Sequence, residues 1–105
     1  MPFNWSQKVV FITGASSGIG SALAVELGRR GASVGLLARR GEILGEIARQ
    51  VEEAGGRALG LPADVRDAEA VREAARQLRA KFGRVDVLVA NAGVGATRLW
   101  RRNPA

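Results

Sequence analysis

Three glycines, Gly14, Gly18 and Gly20, stand in the run Thr13-Gly14-Ala15-Ser16-Ser17-Gly18-Ile19-Gly20. Glycine reaches turn dihedrals closed to other residues, and its missing Cβ lets a phosphate come close to backbone N–H groups. Where such a run joins a strand to a helix, the positive helix end adds to those N–H groups, and the chemistry is that of cradling a dinucleotide pyrophosphate. Ser16 and Ser17 add hydroxyl donors. The spacing G-x-x-x-G-x-G differs from the G-x-G-x-x-G of the general dinucleotide fingerprint. A tight strand-to-helix turn with capping serines is the plainer alternative, and the position of the run between a strand and a helix favours phosphate binding.

A second feature bears on which dinucleotide. An acidic residue about 20 positions beyond such a loop accepts the adenosine ribose hydroxyls. Here no Asp or Glu occurs from Val34 to Gly41, and Arg39 and Arg40 stand there instead. A guanidinium suits the dianion of a 2′-phosphate, so NADP(H) is expected over NAD(H), with Arg39, nearer the strand end, the better candidate. Otherwise the two arginines are a solvated strand end.

These residues need positioning elements, and the chain supplies an alternating set. Lys8 to Ile12 reads as a buried strand. From Ile19 the apolar period becomes helical through Ala22, Leu23 and Leu27, with Gly31 able to cap. Ser33 to Ala38 is a second strand, and Ile43, Leu44, Ile47, Ala48 and Val51 stripe a second helix that stops at Gly55-Gly56. Arg57 to Leu61 gives a weak third strand with Pro62 after it. Asp67 is a plausible N-cap for a third helix buried along Val71, Ala74, Ala75, Leu78 and Phe82 and ended by Gly83, and Val85 to Ala90 is the fourth strand. This order demands parallel strands joined by right-handed crossovers, hence an α/β, Rossmann-like doubly wound sheet of about four strands and three helices. After Gly93 the pattern stops, so the expected organisation is a partial dinucleotide-binding domain over 1–97 and a basic C-terminal tail over 98–105.

Composition narrows the chemistry. The 105 residues contain no His, Cys or Tyr, so there is no Cys/His zinc site, no thiol nucleophile, no imidazole acid/base and no disulfide. No metal site is expected. With 47% hydrophobic and 25% charged residues the balance is that of a globular domain. No apolar run approaches the ~20 residues of a membrane span, and residues 1–7 lack a signal-peptide pattern, so the expected location is the cytoplasm with no membrane partner. Of the net charge of +6, three charges belong to Arg98, Arg101 and Arg102. The rest are dispersed without an aromatic platform, since Trp5, Trp100 and the three phenylalanines fit core or tail positions, and this argues against a nucleic-acid partner.

At this point the residues resemble a family. The run from Thr13 to Gly20 matches the T-G-x-x-x-G-I-G motif of the short-chain dehydrogenase/reductases, and Asp64-Val65 and Asn91-Ala92-Gly93 match its next two cofactor-half motifs in the right order. The resemblance covers about residues 8–95. It implies that Gly14, Ser16, Gly18, Ile19 and Gly20 surround the pyrophosphate and neighbouring ribose. Arg39 would meet the 2′-phosphate, Asp64 and Val65 would contact the adenine edge, and Asn91, Ala92 and Gly93 would line the cofactor cleft. For Asp64 an N-cap ahead of the third helix is an equal alternative on bare sequence, and for Asn91 an ordinary turn residue is the other reading.

The family transfers hydride with a Tyr-x-x-x-Lys pair, a serine and an asparagine from later elements. None of these can be assigned here: no tyrosine occurs, the lysines are Lys8 and Lys81, Asn91 is not the catalytic asparagine, and Asn103 lies in the arginine-rich tail. The expectation is an NADP(H)-dependent oxidoreductase represented by its dinucleotide-binding half, truncated after the fourth strand and unable alone to catalyse hydride transfer. The competing reading is a non-catalytic NADP(H)-binding or interaction module. Strand order 3-2-1-4 would leave the apolar fourth strand as an edge and only the third helix over one sheet face, so self-association through that edge is expected.

Overall fold

The computed structural model describes residues 4–91 and the backbone of 97–101. A 3-10 turn, Trp5–Gln7, leads into β1 (Val9–Thr13). The elements α1 (Gly18–Arg29), β2 (Ser33–Ala38), α2 (Gly41–Ala54), β3 (Arg57–Pro62), α3 (Ala68–Phe82), β4 (Val87–Asn91) and β5 (Thr97–Arg101) follow. The sheet order is β3-β2-β1-β4-β5, and β1 to β4 are parallel as the alternation requires.

The central strands are buried on both faces, which is why β1 and β2 read as nearly continuous apolar runs. On one face Val10, Ile12, Val34, Leu36, Val87 and Val89 pack with Ala24 and Leu27 of α1 and Leu44, Ile47 and Val51 of α2. On the other, Val9, Phe11, Leu37 and Leu61 pack against Ala74 and Leu78 of α3. Leu44 and Leu78 are almost completely buried, each stabilising the fold by roughly 1.5–3 kcal/mol relative to exposure. As expected, α1 and α2 share one side and α3 takes the other. Along β4, Val87, Val89 and Asn91 are buried while Leu88 and Ala90 are only half-buried, because α3 covers this face incompletely.

Helix ends follow local chemistry. Ser17 caps α1 by accepting from the Gly20 N–H, and Asp67 caps α3 by accepting from the Ala70 N–H. On the wet side of α3, Glu69 pairs with Arg72 and Glu73 with Arg76, as their spacing predicts. At the base of the sheet the buried Asp86 carboxylate accepts from the Val9 N–H at 2.9 Å and from Arg84 Nε at 2.8 Å, tying β4 to β1. Burial pushes this carboxyl up, but the Arg84 and Val9 hydrogen bonds outweigh it and hold the group below its ordinary value.

One expectation fails. β4 is not an edge: residues 97–101, which include the start of the expected 98–105 tail and show no period in the sequence, form β5 antiparallel to it, with Val87 opposite Arg101 and Asn91 opposite Thr97. An unpaired strand offers a ladder of backbone groups that a following segment can satisfy whatever its side chains. The free edges of the described sheet are therefore β3 and β5. Residues 102–105, the rest of that tail, lie outside the described residues.

Candidate functional site

The C-terminal ends of β1, β2 and β3 open on one side of the sheet. Parallel register brings them together: Thr13 pairs with Leu37 and Ala38 with Pro62, while the Ala15 N–H donates to Leu37 O at 3.1 Å and the Ala63 N–H to Ala38 O at 2.9 Å. Between them lies a cleft of about 360 Å³, lined by Gly14, Ser16, Arg39, Asp64, Val65 and Arg66 over a floor of Leu37, Ala38 and Ala63. Crevices beyond the carboxyl ends of parallel strands are where such sheets bind ligands.

The three glycines divide the work. Gly14 has φ +67°, and a Cβ there would lie 2.5 Å from Asn91 O. A Cβ on Gly20 would lie 2.5 Å from Gly14 O, so its absence lets α1 sit directly against the turn. Gly18 is different: a Cβ there would meet nothing within 4 Å. No packing within the described residues requires glycine at that position. Beside it, among the described residues, the backbone N–H groups of Gly18 and Ile19 carry no hydrogen bond, as the first turn of a helix leaves them. An open backbone surface with free donors at a helix N-terminus suits a pyrophosphate.

Ser17 serves both turn and helix. Its Oγ donates to Gly14 O at 3.0 Å and accepts from the Gly20 N–H at 3.1 Å and from Asn91 Nδ2 at 2.6 Å. Asn91 is buried, and its own N–H donates to Thr13 Oγ1 at 3.3 Å. Asn91 is thus a fastening between β4 and the glycine turn, beyond an ordinary turn residue. Ser16 is exposed on the cleft wall. Ala92 and Gly93 lie outside the described residues.

Arg39 lines the cleft, and among the described residues its guanidinium has no hydrogen bond or ion pair. Arg40 is not among the lining residues and lies 3.8 Å from Glu42. Asp64 is not the cap of α3, since Asp67 fills that role. Its carboxylate is gripped by Arg66, with Oδ1 accepting from the backbone N–H at 2.9 Å and from Nε at 3.2 Å, and Oδ2 from Nη2 at 3.0 Å. These bonds to Arg66, with the Arg39 charge adding a smaller effect, hold the Asp64 carboxyl at about 2. Among the described residues the exposed large apolar side chains are Ile19, 60% open in the first turn of α1, and Val65, 56% open on the cleft wall.

Sequence reasoning missed Arg66, whose place in the cleft follows from the Ala38–Pro62 register and not from any motif. Among the described residues no group of three or more His, Cys, Asp or Glu could hold a metal ion, and no helix is long and apolar enough to cross a membrane.

Comparison with known proteins fits this geometry. A family profile described as short chain dehydrogenase matches residues 8–103. The 11-beta-hydroxysteroid dehydrogenase A of Sesamum indicum is 48% identical over 88 residues, which is 83% of this chain and 25% of that protein. Among solved structures, a metagenomic short-chain oxidoreductase in complex with NADP superposes with a TM-score of 0.80 at 44% identity, covering 89% of this chain and 42% of the other. An NADH-dependent reductase complexed with NAD superposes with a TM-score of 0.70 at 33% identity, covering 77% of this chain and 34% of the other. The chain spans from a quarter to about two fifths of the length of each.

Proposed function

The chain belongs to the short-chain dehydrogenase family, and from that premise we propose that it forms the NADP(H)-binding half of an oxidoreductase. The observation that carries the cofactor choice is Arg39: a guanidinium without a protein partner among the described residues, on the cleft wall at the end of β2, where an acid would serve NAD. The similar solved structures include both an NADP and an NAD complex, so this preference rests on Arg39 and not on likeness.

In this reading Gly18 and Ile19 direct their free N–H groups at the pyrophosphate, with Ser16 beside them. Gly14, Gly20, Ser17 and Asn91 fix the turn that aims those groups. Val65 and Asp64 border the adenine, Arg39 meets the 2′-phosphate, and Arg40, paired with Glu42, contributes at longer range. The same reading assigns Ala92 and Gly93, next after Asn91 in the sequence, to the cofactor as well. Bound there, the nicotinamide would supply a hydride donor or acceptor. No tyrosine occurs in the 105 residues to exchange the accompanying proton, so the chain by itself binds without turning substrate over. A cytoplasmic location belongs to the same proposal, as does self-association through the β3 or β5 edge, which size-exclusion chromatography checks.

The test is titration of the chain with NADPH and NADH, for wild type and Arg39→Ala. A hydrogen-bonded charge contact is worth about 1.5–3 kcal/mol, so wild type should prefer NADPH and Arg39→Ala should lose roughly 10- to 100-fold in NADPH affinity with little change for NADH. Equal affinities in wild type overturn the NADP(H) assignment, and absence of binding to either overturns the nucleotide reading.

A further inference from the structure

The ionisable side chains lining the cleft are Arg39, Asp64 and Arg66. One of them is an anion, in a place assigned above to a cofactor that brings a dianion. A bare carboxylate there would act twice against a 2′-phosphate. It would repel the phosphate directly, and it would attract Arg39, the cation meant to receive it.

Arg66 prevents both. Its Nε and Nη2 take one oxygen of Asp64 each, and its backbone N–H fixes the Oδ1 side, so the carboxylate is held in one orientation with both oxygens engaged. Arg39 makes no ion pair among the described residues, although the Asp64 charge acts on the same cleft wall. A planar fork is required for this grip, which a lysine would not reproduce.

We propose that Arg66 is a positioning residue for cofactor specificity: by binding Asp64 it cancels the carboxylate charge and leaves Arg39 as the uncompensated cation that selects a 2′-phosphate. The inference rests on the NADP(H) reading and adds the means by which that reading tolerates an acid in the cleft. Selection is then set by three residues acting together, with net charge +1 before the cofactor arrives.

The experiment measures dissociation constants for NADPH and NADH with the full chain as wild type, Arg66→Gln, Arg66→Lys and the double variant Asp64→Asn/Arg66→Gln. The Arg66 side chain is 77% exposed, so these changes leave the core intact, which thermal melting verifies. Arg66→Gln should weaken NADPH binding roughly tenfold, the scale of one like charge released near a dianion in a wet cleft, and leave NADH nearly unchanged. Arg66→Lys should recover only part of the loss. The double variant should restore the wild-type NADPH-to-NADH ratio, because the anion that Arg66 masked is gone. A ratio unchanged in Arg66→Gln overturns the inference, and so does a double variant that stays as weak as the single, since Arg66 would then touch the phosphate itself. A wild type with no preference for NADPH overturns the parent reading and this inference with it, whereas a preference that Arg66→Gln leaves undiminished overturns this inference alone.

Discussion

Replacing Gly18 and Gly20 by alanine, one at a time, separates the glycine the ligand needs from the glycine the fold needs. At Gly20 the new Cβ would stand 2.5 Å from Gly14 O, 3.1 Å from Ala15 Cα and 3.2 Å from Asn91 Nδ2. Two of those atoms are backbone, so the turn must move. Overpacking of this kind costs about 1–3 kcal/mol, and the helix preference of alanine returns at most about 1 kcal/mol. A net loss of about 1–2 kcal/mol lowers the Tm by roughly 4–16 °C in a domain of this size.

At Gly18 the Cβ would meet nothing within 4 Å. Alanine there costs the fold nothing and gains up to about 1 kcal/mol in helix propensity, so the Tm should stay level or rise a few degrees. The methyl group does occupy the space beside the free N–H groups of Gly18 and Ile19. Holding a pyrophosphate away from those donors forfeits about 1–3 kcal/mol, or roughly 5- to 150-fold in NADPH affinity. The assay pairs thermal melting by circular dichroism with NADPH titration. The reasoning is refuted by a Gly18→Ala chain that binds NADPH as tightly as wild type, or by one that melts as early as Gly20→Ala.

Two further outcomes concern the scaffold. Asp86→Asn should destabilise the chain at neutral pH by about 1–3 kcal/mol, because Arg84 loses its buried partner and the Val9 N–H a charged acceptor. Since the Asp86 carboxyl is held below its ordinary value in the folded state, the unfolded chain takes up the proton first. Its contribution is present above about pH 4 and fades as the pH falls further, so wild-type and Asp86→Asn melting temperatures should converge on acidification. Asn91→Ala removes the 2.6 Å bond to Ser17 Oγ, which should lower the Tm by roughly 4–8 °C per kcal/mol lost and weaken NADPH binding as the turn loosens, measured by the same two assays.

The parallel sheet, its helices and the place of the glycine turn were legible because each depends on local pattern. Apolar runs gave β1 and β2, periodic stripes gave α2 and α3, and Asp67 and Gly83 bracket α3 as caps do. What escaped depends on partners distant in sequence. Nothing in the glycine spacing says that Gly14 is confined by Asn91, more than seventy residues away, and Gly20 by the turn that Asn91 fastens, while Gly18 is not. The Ser17 hydroxyl, read as a donor for phosphate, is already committed on three sides inside the protein for the same reason. β5 was hidden because its pairing asks only for backbone beside the β4 edge, so an arginine-rich segment carries little sign of it.

The same distinction governs the cleft. Arg39 could be found by counting from the loop, since the family's ribose-binding position follows the second strand. Arg66 could not, because it reaches the cleft through the pairing of Ala38 with Pro62 and the turn that follows. Counting residues therefore finds the group proposed to meet a ligand's extra phosphate, whereas only the register finds the group proposed to keep it available. A change at Arg39 removes the receiving charge outright, whereas a change at Arg66 removes it by letting Asp64 compete for it. The two differ in one measurable respect: only the second is reversed by also neutralising Asp64.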